Sequence, residues 1–585
     1  MRSLILPIGI SLLSCAASYT IPSSPQQILG TTDSKTAKEI CPLPSKVPLG
    51  DDKLFSSLRY LQDEKILHRQ VTRLSKAVQV PTTITDSMRD PYDESFASFV
   101  DFHKLLAELF PLIHSKAEIE RVNRLGLIIT LNASHAKKDQ NRKPLLFTAH
   151  QDTVPINDAS DWTHPPFSGH FDGEFLWGRG SSDCKNGLIG LLSVIEDLLE
   201  QDWAPSRSVV LAFGFDEEAQ GFLGARSFAP ILEERYGTDG LEFILDEGGM
   251  GLSTLGSYSS HSASEEEDNV IYALPDVSEK GAIDLLLTLS VPGGHSSIPP
   301  KHTGIGIMSE IIYSLENTEL DIFTPSIGLD HPSRRKLECQ VRHSPQYIED
   351  WLSSALESDD HVAAAEAIAE SRGAEIRFTL QTSQAADIFH GGVKSNALPE
   401  KIQALVNYRV GLHQTPEMVQ ERAERIIAPI VEKHNLSWSK FSDSTDEQVN
   451  IDTSTSGHLA LSTPNTPLSP APVSPTDIKT NPVWARFAGV TRSVFESVPS
   501  LEGKTVVVSG DIMTGNTDTR FYWNLSRNIY RWSPAREGRA LNIHTVDERI
   551  GIDAHLEGMM LYYDLIRAFD QWDGAVDEVT ERNDI

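Results

Sequence analysis

The 585-residue sequence predicts an α/β protein, a layered sheet-and-helix domain with a smaller α+β domain set into it. Three observations predict this. Short apolar runs at Leu125–Leu131, Leu145–Ala149, Ser208–Phe215 and Phe243–Leu245 read as buried strands, and an apolar-faced helix, Gly187–Leu199, lies among them. Two further strand-helix units follow, Ile283–Val291 with Gly304–Leu315 and Lys401–Val410 with Pro416–His434. Residues 441–480 are then rich in Ser, Thr and Pro, which suits a loop returning the chain to the first domain. A chain of this length exceeds what one core holds, so more than one domain is expected.

The elements can be taken in order. Residues 1–18 read as a secretory signal: Arg2 is the charged start, Leu4–Ala17 the apolar stretch, and Cys15-Ala16-Ala17-Ser18 offers small residues for cleavage. The stretch is shorter than the roughly 20 residues of a membrane span, and an uncleaved anchor is the competing reading. Residues 19–50 form a polar leader. The larger domain is expected over 51–278, with a helix at Ser95–Phe110, and resumes over 481–585. The acidic run Glu265–Asp268 reads as a solvated loop. The smaller domain is expected over 279–440, interrupted by a polar, helix-prone insertion at Asp330–Ala374. After the loop at 441–480 come a helix at Val483–Phe495, a strand at Thr505–Ser509 and a striped final helix at Ile552–Phe569.

Composition excludes some functions. Acids outnumber bases 82 to 51, for a formal net charge of −31. Such a chain has no general attraction to nucleic acid, and the charge reads as solubility. Secretory entry agrees with glycosylation acceptors at Asn132, Asn435 and Asn524. Loss of the signal leaves Cys41, Cys184 and Cys339, an odd number and no disulfide framework; Cys41 and Cys339 can pair, but the sequence does not decide it.

The chemistry lies at the ends of the apolar runs. His150 and Asp152 are two apart, so at a strand end both face one way, and the acid can hold the ring nitrogen that a metal leaves free. Asp183 stands in Gly178-Arg-Gly-Ser-Ser-Asp183-Cys-Lys, a glycine-rich turn entering a helix. An N-cap would explain an aspartate there, but its two oxygens could also face two cations. Glu217 and Glu218 end a wholly apolar strand, where paired carboxylates repel unless cations or a shared proton compensate. Asp246 and Glu247 repeat the pattern, and His544 is a distant imidazole for a second cation. Oxygen and imidazole ligands suit zinc.

These residues, in this order, resemble the M20 family of metallopeptidases, nearest to its Gly-Xaa carboxypeptidase (carboxypeptidase S) type. The motifs are His150-Gln-Asp152, Gly178–Lys185, Asp216-Glu217-Glu218, Leu245-Asp246-Glu247-Gly-Gly, Val277-Ser-Glu-Lys-Gly, Gly293-Gly-His295-Ser-Ser and His544-Thr-Val-Asp-Glu. The resemblance implies a mixed-sheet, helix-flanked peptidase domain with a lid that often serves dimerisation. It implies two Zn2+ per subunit, one held by His150, Asp183 and Asp246, the other by Asp183, Glu218 and His544. Asp246 is preferred because it comes first after the strand, although Glu247 can be aligned in its place. Glu217 would be the general base, Asp152 its support, and His295 the group that polarises the scissile carbonyl. Asn396 and Arg409 match substrate-contacting lid positions, and an arginine suits a free carboxylate. Gly515-Asn-Thr-Asp518 resembles the family's substrate loop. The implied substrate is a short peptide, with an N-acyl amino acid as the alternative. The implied location is the secretory pathway, either a vacuolar lumen or outside the cell.

Overall fold

The computed structural model describes residues 40–49, 52–134, 142–249, 251–255, 269–317, 323–441 and 454–574. The signal segment, most of the polar leader and the acidic run Glu265–Asp268 lie outside them.

The first half of the larger domain contains α1 (Glu64–Val78), α2 (Ala97–Leu109), α3 (Pro111–Lys116), β1 (Glu118–Val122), β2 (Gly126–Leu131), β3 (Leu145–His150), α4 (Lys185–Glu200), β4 (Val209–Gly214), α5 (Ala225–Tyr236), β5 (Phe243–Asp246) and β6 (Asp276–Glu279). The smaller unit follows with β7 (Gly281–Ser290), β8 (Gly294–His295), α6 (Gly304–Asn317), α7 (Pro332–His343), β9 (Ser383–Gly391), β10 (Ala397–Leu398), β11 (Lys401–Val410), α8 (Pro416–Lys433), β12 (Ser437–Lys440) and β13 (His458–Ser462). The chain then returns through α9 (Pro482–Phe495), β14 (Asp511–Met513), β15 (Ile529–Arg531) and α10 (Ile552–Asp570).

The larger sheet is mixed and has eight strands in the order β1-β2-β4-β3-β5-β15-β6-β14. Its centre is parallel: β3 pairs in parallel with both β4 and β5, and β5 with β15. The apolar runs are unbroken because both faces of this centre are covered. Leu145, Phe147 and Ala149 of β3 pack with Leu188 and Leu192 of α4 and Phe569 of α10. Leu146, between them, packs with Val210 of β4 and Phe228 of α5 on the other side.

The smaller sheet runs β9-β11-β7-β13-β12. Strand β7 alternates buried and half-buried residues, as a sheet with one covered face should. Its Ile283, Leu285, Leu287 and Leu289 meet Met308 and Ile311 of α6 and Ala423 and Ile427 of α8. One element departs from expectation. β13 falls inside the stretch read as loop, pairing antiparallel with β7 and in parallel with β12. The alternation of His-Leu-Ala-Leu-Ser outweighs the surrounding Ser/Thr/Pro composition. From Ser462 to Pro482 no helix or strand intervenes.

The two units join at a tight crossing. Lys280 is the one residue between β6 and β7. Its N–H donates to the Met513 carbonyl at 3.0 Å, and its buried Nζ donates to the carbonyls of Phe378 and Gln381 at 2.9 and 2.7 Å. The returning chain lies beside the outgoing one: Leu468 and Ala282 exchange backbone hydrogen bonds, and Ala471 N–H donates to the Glu279 carbonyl at 2.9 Å.

The insertion is helical, as expected. Helices Asp350–Glu357 and His361–Arg372 and α7 gather Leu337, Leu352, Leu356, Ala365 and Ile368 into a small core of their own. Helix α7 also reaches the larger sheet, where Lys336 Nζ meets Asp511 Oδ2 on β14 at 2.5 Å. Cys339 on the same helix forms a disulfide with Cys41, 298 residues away in sequence, and Cys184 is free and buried. Among the described residues no helix is long and apolar enough to cross a membrane.

Closing so long a loop restricts the unfolded chain, and such bonds contribute about 2–4 kcal/mol. Cys339→Ser is expected to lower stability by about that amount. Denaturant unfolding of oxidised wild type and variant checks it, with reduced wild type expected to match the variant.

Candidate metal centre

The parallel centre of the larger sheet places three strand ends side by side. β3 ends on His150, β4 leads through Phe215 and Asp216 to Glu217 and Glu218, and β5 ends on Asp246 with Glu247 next. Ends of parallel strands are where open α/β sheets form their sites. Asp216 shapes the β4 turn: its carboxylate oxygens accept from the N–H groups of Leu223 and Gly224, both at 2.7 Å.

Asp183 lies at the centre. It precedes α4, and the peptide joining it to Cys184 is cis. Its Oδ1 is 3.0 Å from His150 Nε2, and its Oδ2 is 3.0 Å from His544 Nε2. One carboxylate thus spans two imidazoles, one oxygen to each. Around His150 Nε2 the second acid is Glu247, whose Oε1 lies at 3.2 Å. Around His544 Nε2 it is Glu218, whose Oε1 lies at 3.0 Å. The structure therefore turns Glu247 toward His150, where Asp246 was expected. Asp246 continues the β5–β15 pairing, its carbonyl accepting from Trp532 N–H at 2.8 Å. Its buried Oδ2 has no hydrogen-bond partner among the described residues. Both acids line one pocket, but of the two only Glu247 pairs with His150 among the described residues.

Asp152 supports the cluster from behind. Its main-chain carbonyl is 3.0 Å from His150 Nδ1, with its Oδ1 at 3.3 Å, and its Oδ2 accepts from the Glu218 N–H at 3.0 Å. It therefore orients the imidazole and ties the β3 turn to the β4 turn. Glu217 projects beside this group, and its carboxylate accepts no hydrogen bond among the described residues. Cys184 closes the back, its thiol 3.3 Å from the His150 N–H.

The electrostatics fit divalent cations. Burial, and then Asp183's charge, lift Glu247 to about 8. Burial and then the charge of Glu247 push Glu217 well above the usual carboxylate range. Burial would raise Asp183 too, but its bonds to His150 and His544 outweigh that and hold it low. Hydrogen bonds to Asp183 and Glu218 raise His544 to about 10. A pocket this rich in buried carboxylate must be neutralised by protons or by metal. Ligand atoms of His150, Asp183 and Glu218 lie within 4.8 Å of one another, as do those of His150, Cys184 and Glu247.

The remaining predicted residues lie apart from this cluster. His295 is exposed on β8, paired with Ala397 on β10, and its Nδ1 meets Ser297 Oγ at 2.7 Å. Asn396 is its neighbour across that ladder, its carbonyl accepting from Ser296 N–H at 3.3 Å. Arg409 on β11 donates from Nη1 to Asn516 Oδ1 at 2.9 Å, which links it to the loop Gly515-Asn-Thr-Asp518. Buried Glu279 holds the same loop, accepting from Thr517 N–H at 2.7 Å and Thr519 Oγ1 at 3.1 Å.

The last residue of the His544-Thr-Val-Asp-Glu motif is assigned no role from sequence. Glu548, fully buried, accepts from Arg179 Nη1 at 2.6 Å and from the N–H groups of Gly180, Ser182 and Asp183 at 3.0, 2.9 and 3.1 Å. It clasps the glycine-rich turn that carries Asp183 to the segment that carries His544. Its signal was its place four residues after His544, but an acid in a polar stretch also reads as surface. Glu548→Gln is expected to retain the fold and to bind metal roughly 10–100-fold more weakly, as losses of supporting groups do. Metal competition against a chelator, with circular dichroism as the fold control, checks it.

Comparison with known proteins agrees with this geometry. The description "Peptidase family M20/M25/M40" matches residues 146–568. Carboxypeptidase S of Saccharomyces cerevisiae is 38% identical over 529 residues, 89% of this chain and 87% of the relative. Human N-fatty-acyl-amino acid synthase/hydrolase PM20D1 is 28% identical, covering 88% of this chain and 89% of the relative. Among solved structures, human carnosine dipeptidase 1 superposes with a TM-score of 0.57 at 12% identity, covering 88% of this chain and 98% of that one. The dipeptidase Dug1p from Saccharomyces cerevisiae superposes with a TM-score of 0.58 at 13% identity and the same coverage. With the bridging aspartate, its paired imidazoles and a matching stretch that spans both sheets, the chain belongs to peptidase family M20/M25/M40.

Proposed function

We propose that this chain is a zinc-dependent carboxypeptidase that hydrolyses the C-terminal amide bond of short peptides, of the Gly-Xaa type. The observation that carries the metal chemistry is Asp183, with one oxygen on each of two imidazoles. His150, Asp183 and Glu247 would hold one ion, and Asp183, Glu218 and His544 the other, with Glu247 replacing Asp246 in the first set. Two zinc ions, when bound, polarise a carbonyl and lower the pKa of water.

The chain's own residues do the rest. Glu217 takes the proton of the attacking water; the water oxygen bonds the amide carbon, and the carbon–nitrogen bond breaks. Glu217 then returns that proton to the leaving amine nitrogen. Asp152 keeps His150 oriented. His295 donates to the carbonyl oxygen as it gains charge. Arg409, with Asn396, takes the substrate's terminal carboxylate, and its tie to Asn516 supports this by joining it to the loop beside the site.

The second reading is an N-acyl-amino-acid amidohydrolase. It uses the same centre and is favoured by the likeness to the human N-fatty-acyl-amino acid synthase/hydrolase. The chain would enter the secretory pathway, for a vacuolar lumen or the cell exterior. The Cys41–Cys339 bond and exposed Asn132, Asn435 and Asn524 support that. The smaller unit would act as a lid and pair copies of the chain, since β9 is an exposed edge strand carrying Ile388 and Phe389 at its surface.

Glu217→Ala should lose at least a thousandfold in kcat with zinc content unchanged, whereas Glu247→Ala should lose zinc; metal analysis beside single-turnover assays checks both. Gly-Leu should be hydrolysed faster than N-acyl-leucine, with chelator abolishing both activities. The reverse preference would favour the amidohydrolase reading.

A further inference from the structure

A second cavity, of about 250 Å³, lies outside the metal centre, under the β1 edge of the larger sheet. Its wall on the sheet is a four-residue patch. Ile119 pairs with Ile129 and Arg121 with Leu127 across the β1–β2 ladder, so all four side chains share one face. Leu106 of α2 and Leu192 of α4 close the apolar interior. Leu106, Leu127 and Ile129 are buried, whereas Arg121 and His114 are exposed at the mouth.

The charge pattern at this mouth is unusual for so acidic a chain. The Arg121 guanidinium has no carboxylate partner among the described residues, while its strand neighbour Glu120, on the opposite face, pairs with Arg235. His114 also lines the cavity, its Nδ1 engaged with the Phe110 carbonyl at 2.9 Å. No acid lines the cavity. An apolar interior below an unpaired guanidinium fits a molecule with an apolar tail and one carboxylate. A zwitterionic amino acid fits worse, because its ammonium would meet Arg121 and find no acid.

The inner end of the cavity touches the metal-centre strand. His103 lines it, and His103 Nε2 lies 2.8 Å from Gln151 Oε1. Gln151 stands between His150 and Asp152 and is fully buried. Its amide donates to the carbonyls of Leu125 and Phe213, both at 2.9 Å, so its oxygen faces His103, whose Nε2 must donate. Burial, with the charge of Arg121 adding to it, pushes His103 down to about 4, consistent with that neutral donor. A ligand pressing on His103 therefore bears on the one side chain that separates the two residues orienting the centre.

We propose that this cavity is a binding site for a medium-chain monocarboxylate, held by Arg121 and sensed at the metal centre through His103 and Gln151. The binding claim is independent of the peptidase reading; only the catalytic readout rests on it.

The test is calorimetry of the metal-loaded full chain with sodium octanoate, octan-1-ol and L-leucine as probes. Octanoate should bind saturably at one site. Octanol and leucine should bind at least tenfold more weakly. Arg121→Gln, an exposed substitution with basal turnover expected to persist, should weaken octanoate at least tenfold, and Leu127→Trp, which fills the cavity, should abolish its binding. In wild type, saturating octanoate should change kcat for Gly-Leu at least twofold, and in Arg121→Gln it should not. Octanoate binding that is absent, or is unchanged by Arg121→Gln and so belongs to the metal centre, overturns the site. Binding that depends on Arg121 but leaves kcat unmoved overturns the coupling. If Leu127→Trp does not fold, Arg121→Gln decides alone; if the chain lacks turnover, binding still decides the site.

Discussion

The centre depends on one constraint: several carboxylates and two imidazoles are held in a small, largely dry space. Isolated buried charges are costly, and these acids are close enough to raise one another. Asp183 is the exception that organises the rest, because each of its oxygens faces an imidazole and the two bonds keep it ionised. Positive charge from protons or from metal ions is needed to hold such an arrangement together. The local fold can be understood as the scaffold that keeps this crowd from spreading.

That scaffold uses three devices. Parallel pairing of β3, β4 and β5 sets three strand ends in a row. Asp152 and Asp216 each use carboxylate oxygens to fasten the turns that follow. Glu548 then draws the distant His544 segment onto the Asp183 turn, so two stretches over 350 residues apart in sequence meet through one buried side chain. The centre is assembled as much by these acids as by the cluster around Asp183 that they surround.

Much of this was legible in the sequence. Apolar runs covered on both faces announce buried strands, and each terminal acid or histidine stands where such a strand must end. The alternation of β7 and the stripe of α10 were equally plain. What escaped depends on relations between distant or adjacent residues. Whether Asp246 or Glu247 turns inward is settled by the path of one turn, which composition does not encode. β13 is only five residues long and surrounded by Ser, Thr and Pro, so its pairing with β7 is visible only once β7 has a free edge. Glu548 looks like any surface acid until its four donors surround it. The partner of Cys41 depends on where α7 docks.

The paired crossing between the two units has a mechanical consequence. The outgoing backbone at Lys280 and the returning one at Leu468–Ala471 are bonded to each other and to the larger sheet. The same boundary is tied a second and third time, where Lys336 on α7 meets Asp511 and Arg409 on β11 meets Asn516. Any shift of the smaller sheet against the larger one would therefore have to break the Arg409–Asn516 bond as well as bend the paired backbones.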